Sequence, residues 1–356
     1  MRILLSVHLY PPTHNAGGES LIHNMAKFLI TKGHEVHVLL HQGGLYGIDT
    51  LYEWEGVTVF PFKENVMPIV DWAEVVITHL GYTAWTCIIG KELSKPVIFI
   101  SHNTWIYDQM DIYPETKVIY NSEAMKNVLK YKNDSLVLHP PCDFRKYDLK
   151  MDPSQNKYIT IVNLNKNKGG KIFFNIAKAM PDREFLAVKG GYDPQVLQEL
   201  PNVKLVENGP DILEVYRKTR VLLMPSKYES WGMCATEAMC SGIPVIYSPT
   251  FGLSENVGQA GLIVEDPNPD YEDDDLDRMT DGKICENPGL DPSNWEAWVT
   301  AIKRLDNKEF YKRVSNRCKK RSRELDPLPE LEKLEKFLFK AIKDNEQVIH
   351  QRYLQR

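Results

Sequence analysis

The sequence predicts an α/β protein built from two doubly wound, Rossmann-like domains. Three observations carry that expectation. Short apolar runs recur along the chain, each followed by a polar turn and an amphipathic helical stretch, the pattern of parallel sheets wrapped by helices. The rhythm restarts at Tyr158, after a polar segment that carries Pro153. The chain's 356 residues suffice for two cores of ordinary size, and 43% hydrophobic with 26% charged content suits a globular enzyme.

The first apolar run, Arg2–Val7, is strand one, and Pro11-Pro12 soon after it argues against a signal segment. A loop leads to a helix over Ser20–Lys32, whose Leu21, Ile22, Met25, Phe28 and Leu29 share one face. Gly33 ends that helix, and Glu35–Leu40 is the next strand. Further strands are expected at Val57–Phe60, Val75–Thr78, Val97–Ile100, Lys117–Asn121 and Leu136–His139. The second series runs Tyr158–Val162, a helix near Lys171–Met180, then strands Glu184–Val188 and Val203–Leu205. A helix at Asp211–Thr219 and the strands Val221–Met224 and Pro244–Tyr247 follow. Helical patterns resume at Asn294–Leu305 and Glu309–Leu325, and a last charged helix begins near Pro327. The expected domains are residues 1–150 and 151–325, with 326–356 forming a helix that packs back on the first.

A net charge of −5 gives no global reason for a nucleic-acid or anionic-membrane partner. One local exception lies between Lys303 and Arg323, where basic residues far outnumber the acids Asp306 and Glu309. A solvated helix face is the plain reading; weak contact with an anionic membrane or nucleic acid is the sharper one. The six cysteines, at 87, 142, 234, 240, 285 and 318, form no C-x-x-C pair, which fits reduced thiols in a cytoplasmic protein. No stretch approaches the roughly 20 apolar residues of a spanning helix, so at most peripheral membrane attachment is expected. The acidic Asp273–Asp275 run reads as a solvated loop, because three consecutive carboxylates do not converge on one ion. No metal site and no resident cofactor are expected. A monomer or a homodimer fits equally.

The most informative segment is Ser226–Ile246, which holds Glu229 and Glu237 eight positions apart. A buried strand runs into it, Gly232 opens a small-residue helix, and an apolar strand leaves it. Glu229 therefore lies on a loop at a strand's carboxyl end, where open α/β sheets bind ligands, and Glu237 lies inside the helix. The N–H groups at the helix start suit an anion, whereas carboxylates beside it suit sugar hydroxyls. Two glycine-bearing loops occupy the equivalent place after the first strand of each series. In the first, Gly17-Gly18 allows close backbone approach and is expected to contact a phosphate or another part of the donor, though the G-x-G-x-x-G order is absent. In the second, Asn163–Gly170, Lys168 can neutralise a diphosphate beside Gly169-Gly170, though the P-loop order is absent. His79 and His102 end adjacent strands and point towards the crevice, with His102 followed by an aromatic segment that holds Trp105, Tyr107 and Tyr113.

Taken in order along the chain, these features resemble the retaining glycosyltransferases of family 4, which have the two-domain GT-B fold. The set comprises Gly17-Gly18, Gly33-His-Glu-Val36, His102, Asn121-Ser-Glu123, His139-Pro-Pro-Cys-Asp143, Lys168-Gly169, the E-x7-E pair, Gly252–Glu255 and Ala260–Val264. The resemblance implies two Rossmann-like domains facing across a cleft, whose closure brings His102 to the donor. It implies a UDP-, GDP- or ADP-type sugar as donor and transfer to a hydroxyl acceptor. Glu237 would hold the nucleotide ribose, and Glu229 the transferred sugar. The backbone from Ser230 through Trp231, Gly232 and Met233 to Cys234 would cradle the distal phosphate. Lys168 would compensate the diphosphate, and His102 would touch the sugar. Many members carry arginine where this chain has Asn163, so diphosphate binding leans on Lys168, backbone amides, and Lys189 or Lys166. The acceptor is expected near Gly17-Gly18 and Trp105–Tyr113, and a glycan, lipid-linked sugar, metabolite or modified nucleic-acid base all fit. A nucleotide-sugar epimerase of similar fold and a non-catalytic nucleotide-sugar-binding protein are the rival readings.

Overall fold

The computed structural model describes residues 1–14, 16–63, 66–103, 109–191, 194–209, 211–265 and 294–354. The chain divides into two compact units, Met1–Pro141 with Pro327–Arg356, and Cys142–Asp326.

The first unit is built on eight strands: β1 (Arg2–Val7), β2 (Glu35–Leu40), β3 (Tyr52–Trp54), β4 (Val57–Pro61), β5 (Val75–His79), β6 (Val97–Ser101), β7 (Lys117–Tyr120) and β8 (Ser135–Val137). Their order is β3-β4-β2-β1-β5-β6-β7-β8, and all neighbours are parallel except β3 against β4. The order reverses between β1 and β5, which opens a crevice at the carboxyl ends of the strands. The residues of β5, β6 and β7 are buried throughout, as expected of parallel strands covered on both faces. The short edge strand β3 escapes the sequence pattern because its residues are half-exposed and form no apolar run.

The helix Gly17–Thr31 covers this sheet with Leu21, Ile22, Met25, Ala26 and Leu29. The last helix, Leu328–Leu354, puts Leu331, Leu334, Phe337, Leu338 and Ala341 into the same core. Full burial of a leucine side chain contributes about 1.5–3 kcal/mol, so this helix is an integral part of the unit. Polar ties fix its register: Lys117 Nζ donates to Asp134 and Asp344, each at 2.7 Å. Glu330 accepts from the backbone N–H of His139 at 2.7 Å and pairs with its Nδ1 at 2.7 Å.

The second unit carries β9 (Tyr158–Val162), β10 (Phe185–Val188), β11 (Val203–Val206), β12 (Thr219–Met224), β13 (Val245–Tyr247) and β14 (Leu262–Ile263). The order is β11-β10-β9-β12-β13-β14, parallel throughout, and it reverses between β9 and β12. Phe173, Phe174, Phe185, Trp298, Ile302 and Val314 belong to one core, which joins the helices Gly170–Ala179, Trp295–Arg304 and Lys308–Glu324 to the sheet. Tyr147 and Leu149 pack on this core, and Ser241 Oγ donates to the carbonyl of Tyr147. The division therefore falls after Pro141 rather than at the expected position 150.

Of the basic run, Lys308, Lys312, Arg313, Arg317, Lys320 and Arg323 are exposed. Arg321 instead turns inward, donating to the carbonyls of Asn256 (2.8 Å) and Glu255 (2.7 Å) at the end of the helix Phe251–Asn256. Among the described residues no helix is long and apolar enough to cross a membrane. Asp273–Asp275 and Cys285 lie outside the described residues.

Candidate functional site

In the second unit, the loops after β9 and β12 meet at the point where strand order reverses. The first of these loops is shaped by side-chain amides. Asn163 takes a left-handed backbone (φ 75°), and its Oδ1 accepts from the N–H of Asn165 at 3.0 Å. Gln195 Oε1 accepts from Leu164 N (2.9 Å) and Gly190 N (2.8 Å) and so ties β9's turn to β10's. A Cβ on Gly190 would lie 2.3 Å from the Asn163 amide, so the asparagine is packed flush against that backbone. Asn165 Oδ1 then caps the short turn Lys166–Lys168 by accepting from Lys168 N at 2.8 Å.

Gly169 is required where the two loops touch. Its φ is 81°, and a Cβ there would sit 2.1 Å from the Pro225 carbonyl oxygen. Lys227 N donates to Asn167 O at 2.8 Å and stitches the loops together. This approach brings Lys168 Nζ to 2.6 Å from Glu229 Oε1, which also accepts from Ser226 Oγ at 3.2 Å. Glu229 is buried, while Lys168 is partly exposed. An ammonium has three donors, so Lys168 can hold Glu229 and still offer N–H groups to a second anion.

Gly232 (φ 88°) turns the chain into the helix Met233–Cys240, and no side chain caps that helix start. The side chain of Trp231 is internal, with its indole N–H donating to Thr236 Oγ1 at 3.2 Å. Only its backbone can therefore serve a ligand. Met233 and Cys234 are half-buried. Glu237, one turn into the helix, is buried and accepts from Tyr216 Oη at 2.7 Å. Burial pushes its carboxyl above the ordinary glutamate range, and hydrogen bonds from Tyr216 and Tyr147 offset part of that rise. Lys189, just past β10, pairs with exposed Glu207 at 2.6 Å.

The first unit builds its crevice from histidines. His41, His8, His79 and His102 stand at the carboxyl ends of the neighbouring strands β2, β1, β5 and β6. His8 Nδ1 lies 3.1 Å from His79 Nε2, and His79 Nδ1 lies 3.0 Å from His102 Nε2. His8 Nε2 faces Glu19 Oε1 at 3.2 Å, and Glu19 is buried in the first turn of the helix Gly17–Thr31. His41 Nε2 is 2.8 Å from Ser6 Oγ, and its ring stacks on Tyr82. Desolvation lowers His102 to about 4 and His41 to about 3, and holds His79 well below the ordinary histidine range. A Cβ on Gly18 would lie 2.8 Å from His102 Cε1, so this glycine lets the imidazole lie against the helix start. Gly17 is exposed beside it.

Trp105 and Tyr107 lie outside the described residues. Tyr113 lines a pocket with Val97 and Lys117, the first residues of β6 and β7, and lies under Lys91. That is the end of the sheet opposite His102. Sequence reasoning passed over His8, Glu19, Tyr147, Tyr216 and Gln195. His8 was detectable, since it follows β1 as His102 follows β6; the others depend on contacts between distant segments. Among the described residues no group of three or more His, Cys, Asp or Glu is arranged to hold a metal ion.

Residues 155–274 match the family model described as glycosyl transferases group 1. The O-antigen chain mannosyltransferase B of Escherichia coli is 43% identical over 100 residues, covering 28% of this chain and 24% of that protein. A D-inositol 3-phosphate glycosyltransferase of Corynebacterium kroppenstedtii is 24% identical over 204 residues, 46% of this chain and 45% of that one. The chain thus spans about a quarter to a half of the length of these curated relatives. Solved structures extend the likeness in fold to almost the whole chain. A glycosyltransferase from Rickettsia africae superposes with a TM-score of 0.70 at 15% identity, covering 96% of this chain and 98% of that one. Anabaena HepE in complex with UDP-glucose gives 0.68 at 16% identity, covering 96% and 100%. Residues 155–274 are thus similar to the group 1 glycosyl transferases, and the chain shares its fold with solved glycosyltransferases.

Proposed function

We propose that the protein transfers a sugar from a nucleoside-diphosphate sugar to an acceptor hydroxyl, with retention at the anomeric carbon and without a metal ion. The observation that carries the reading is the Lys168–Glu229 contact at 2.6 Å, within a segment that matches the group 1 glycosyl transferases. Lys168 and the uncapped start of the helix Met233–Cys240 offer positive charge to a diphosphate. Glu229 accepts hydroxyl hydrogens of the transferred sugar, and Glu237 those of the ribose. Asn163, packed into its turn, supports the reading as a shaper of the loop rather than as a substitute for a cation.

In the proposed reaction the bond from the anomeric carbon to the diphosphate oxygen breaks, and the bond to the acceptor oxygen forms on the same face. The acceptor proton passes to the departing phosphate oxygen. Retaining glycosidases instead use a carboxylate nucleophile close to an acid. Glu229, held by Lys168 and Ser226, is better placed to position a ligand than to attack one. Lys168 stabilises the leaving charge, a contribution worth about 10²–10³ in rate for one such donor. The first unit is proposed to receive the hydroxyl acceptor near Gly17-Gly18, with His102 offering its imidazole to a substrate hydroxyl.

The test is a transfer assay with UDP-, GDP- and ADP-sugars and an acceptor panel of glycans, lipid-linked sugars, small hydroxylated metabolites and hydroxylated bases. The anomeric configuration of the product is read by NMR. An α-linked donor should give an α-linked product, and Lys168→Ala should lower turnover about 10²–10³-fold. An inverted product, or Lys168→Ala at wild-type rate, would remove the mechanism.

A further inference from the structure

The chain Glu19–His8–His79–His102 links four side chains by contacts of 3.2, 3.1 and 3.0 Å, and runs from a buried carboxylate to the crevice edge. Its members come from the first turn of the helix Gly17–Thr31 and from the ends of β1, β5 and β6. Three imidazoles in series are costly to assemble unless their protons are ordered. Each ring must donate one way and accept the other, or two lone pairs or two N–H groups face each other.

We propose that Glu19, His8 and His79 are positioning residues that fix the tautomer of His102, leaving its Nδ1 as a hydrogen-bond acceptor for a substrate hydroxyl. The direction follows from the end of the chain. An ionised carboxylate only accepts, and the first turn of a helix favours the ionised form. His8 therefore carries its proton on Nε2, towards Glu19, and turns a bare Nδ1 to His79. His79 must then be protonated on Nε2 and bare on Nδ1, and His102 on Nε2 in the same sense. Nδ1 of His102 is left over, and among the described residues no hydrogen bond to it is formed. It would lie 3.2 Å from a Cβ placed on Gly18, so the missing side chain leaves that atom approachable. Burial keeps His79 and His102 neutral at neutral pH, which the ordered chain requires. An acceptor nitrogen held in this way suits an uncharged hydroxyl and repels the oxygens of a phosphate.

The tautomer half of the proposal stands on the geometry alone. The hydroxyl half rests on the glycosyltransferase reading. Two-bond proton–nitrogen NMR on the full chain with labelled histidine separates them, with resonances assigned through His79→Asn and His102→Gln. The expected spectrum has His8, His79 and His102 protonated on Nε2 and bare on Nδ1. Glu19→Gln keeps an acceptor oxygen for His8 and should preserve that pattern, whereas Glu19→Leu should leave His102 as a mixture of tautomers. A proton on Nδ1 of His102 in the wild-type protein, as a cationic His8 would impose, overturns the proposal even if Glu19→Leu does not fold. So does a folded Glu19→Leu variant whose His102 tautomer is unchanged. In transfer assays Glu19→Leu should raise the acceptor KM about two- to tenfold, and Glu19→Gln should restore it. An ordered chain with an unchanged KM would overturn the hydroxyl assignment alone. No transfer from any donor would instead count against the activity itself.

Discussion

The two units reverse strand order at the same place in their sheets and fill that place with opposite chemistry. Between β9 and β12 the second unit gathers ions: Lys168 against Glu229, with buried Glu237 nearby along the same segment. Between β1 and β5 the first unit gathers imidazoles, two of which burial keeps neutral, and ends them on one carboxylate. The shared topology supplies the crevice and does not dictate what enters it. A charged crevice suits a polyanion with hydroxyls attached; a neutral, hydrogen-bonding crevice suits an uncharged hydroxyl.

The largest effect should come from the glycines that close the two crevices. Gly169 faces backbone, the Pro225 carbonyl at 2.1 Å, and has φ 81°. Gly169→Ala should cost about 3 kcal/mol or more, because neither the carbonyl nor the left-handed turn can give way cheaply. Gly18 faces only the His102 ring at 2.8 Å, which can rotate, so Gly18→Ala should cost about 1 kcal/mol. Urea titrations of both variants give the comparison, and equal losses would erase it.

Acidification should separate the units next. A histidine held below its ordinary value contributes stability that is present above about pH 6.5 and lost as pH falls towards its folded pKa, about 4 for His102. On going from pH 7 to 5 the first unit should lose on the order of 1–2 kcal/mol for such a group. Glu237, held above 4.5, acts in the opposite sense, since its contribution is present at low pH and lost as pH rises through its raised value. Hydrogen-exchange protection factors, taken relative to the intrinsic rate at each pH, should therefore fall more in β5 and β6 than in β12 on acidification. A larger fall in β12 than in β5 would reverse the comparison.

The smallest effect concerns ligand binding. If Glu237 accepts ribose hydroxyls as a carboxylate, nucleotide affinity should weaken as pH falls through its raised range, above 4.5. Glu237→Gln should bind about tenfold more weakly at neutral pH, with a flat pH profile by calorimetry. A pH dependence that survives in Glu237→Gln would assign the titration to another group.

Much of this organisation was legible in residues that obey local rules. The apolar runs of β1, β5, β9 and β12 are buried on both faces and announce themselves by composition. Gly18, Gly169 and Gly232 stand where a strand gives way to a helix, and the structure gives Gly169 and Gly232 the left-handed backbone that favours glycine. The last helix reads in the sequence as a charged one beginning near Pro327, whereas its Leu331, Leu334, Phe337, Leu338 and Ala341 lie in the core of the first unit. What stayed hidden depends on partners remote in sequence. Tyr216 is 21 residues from Glu237, and His8 is 71 from His79. Asn163 looked like a weakened cation site because its role, holding a turn against Gly190 and Gln195, exists only once β9 and β10 are side by side. The edge strand β3 was invisible for the opposite reason, since half-exposed residues leave no apolar signal.

The central claim is that the crevice between β9 and β12 holds a nucleoside-diphosphate sugar through Lys168, Glu229 and Glu237. Thermal unfolding of the full chain with UDP-, GDP-, ADP- and CMP-sugars, repeated on Glu237→Ala, tests it most directly. At a hundredfold excess over Kd a bound donor adds about 2.7 kcal/mol of stability, so at least one should raise Tm in the wild-type protein and raise it clearly less in the variant. No rise with any donor, or an equal rise in Glu237→Ala, would contradict it.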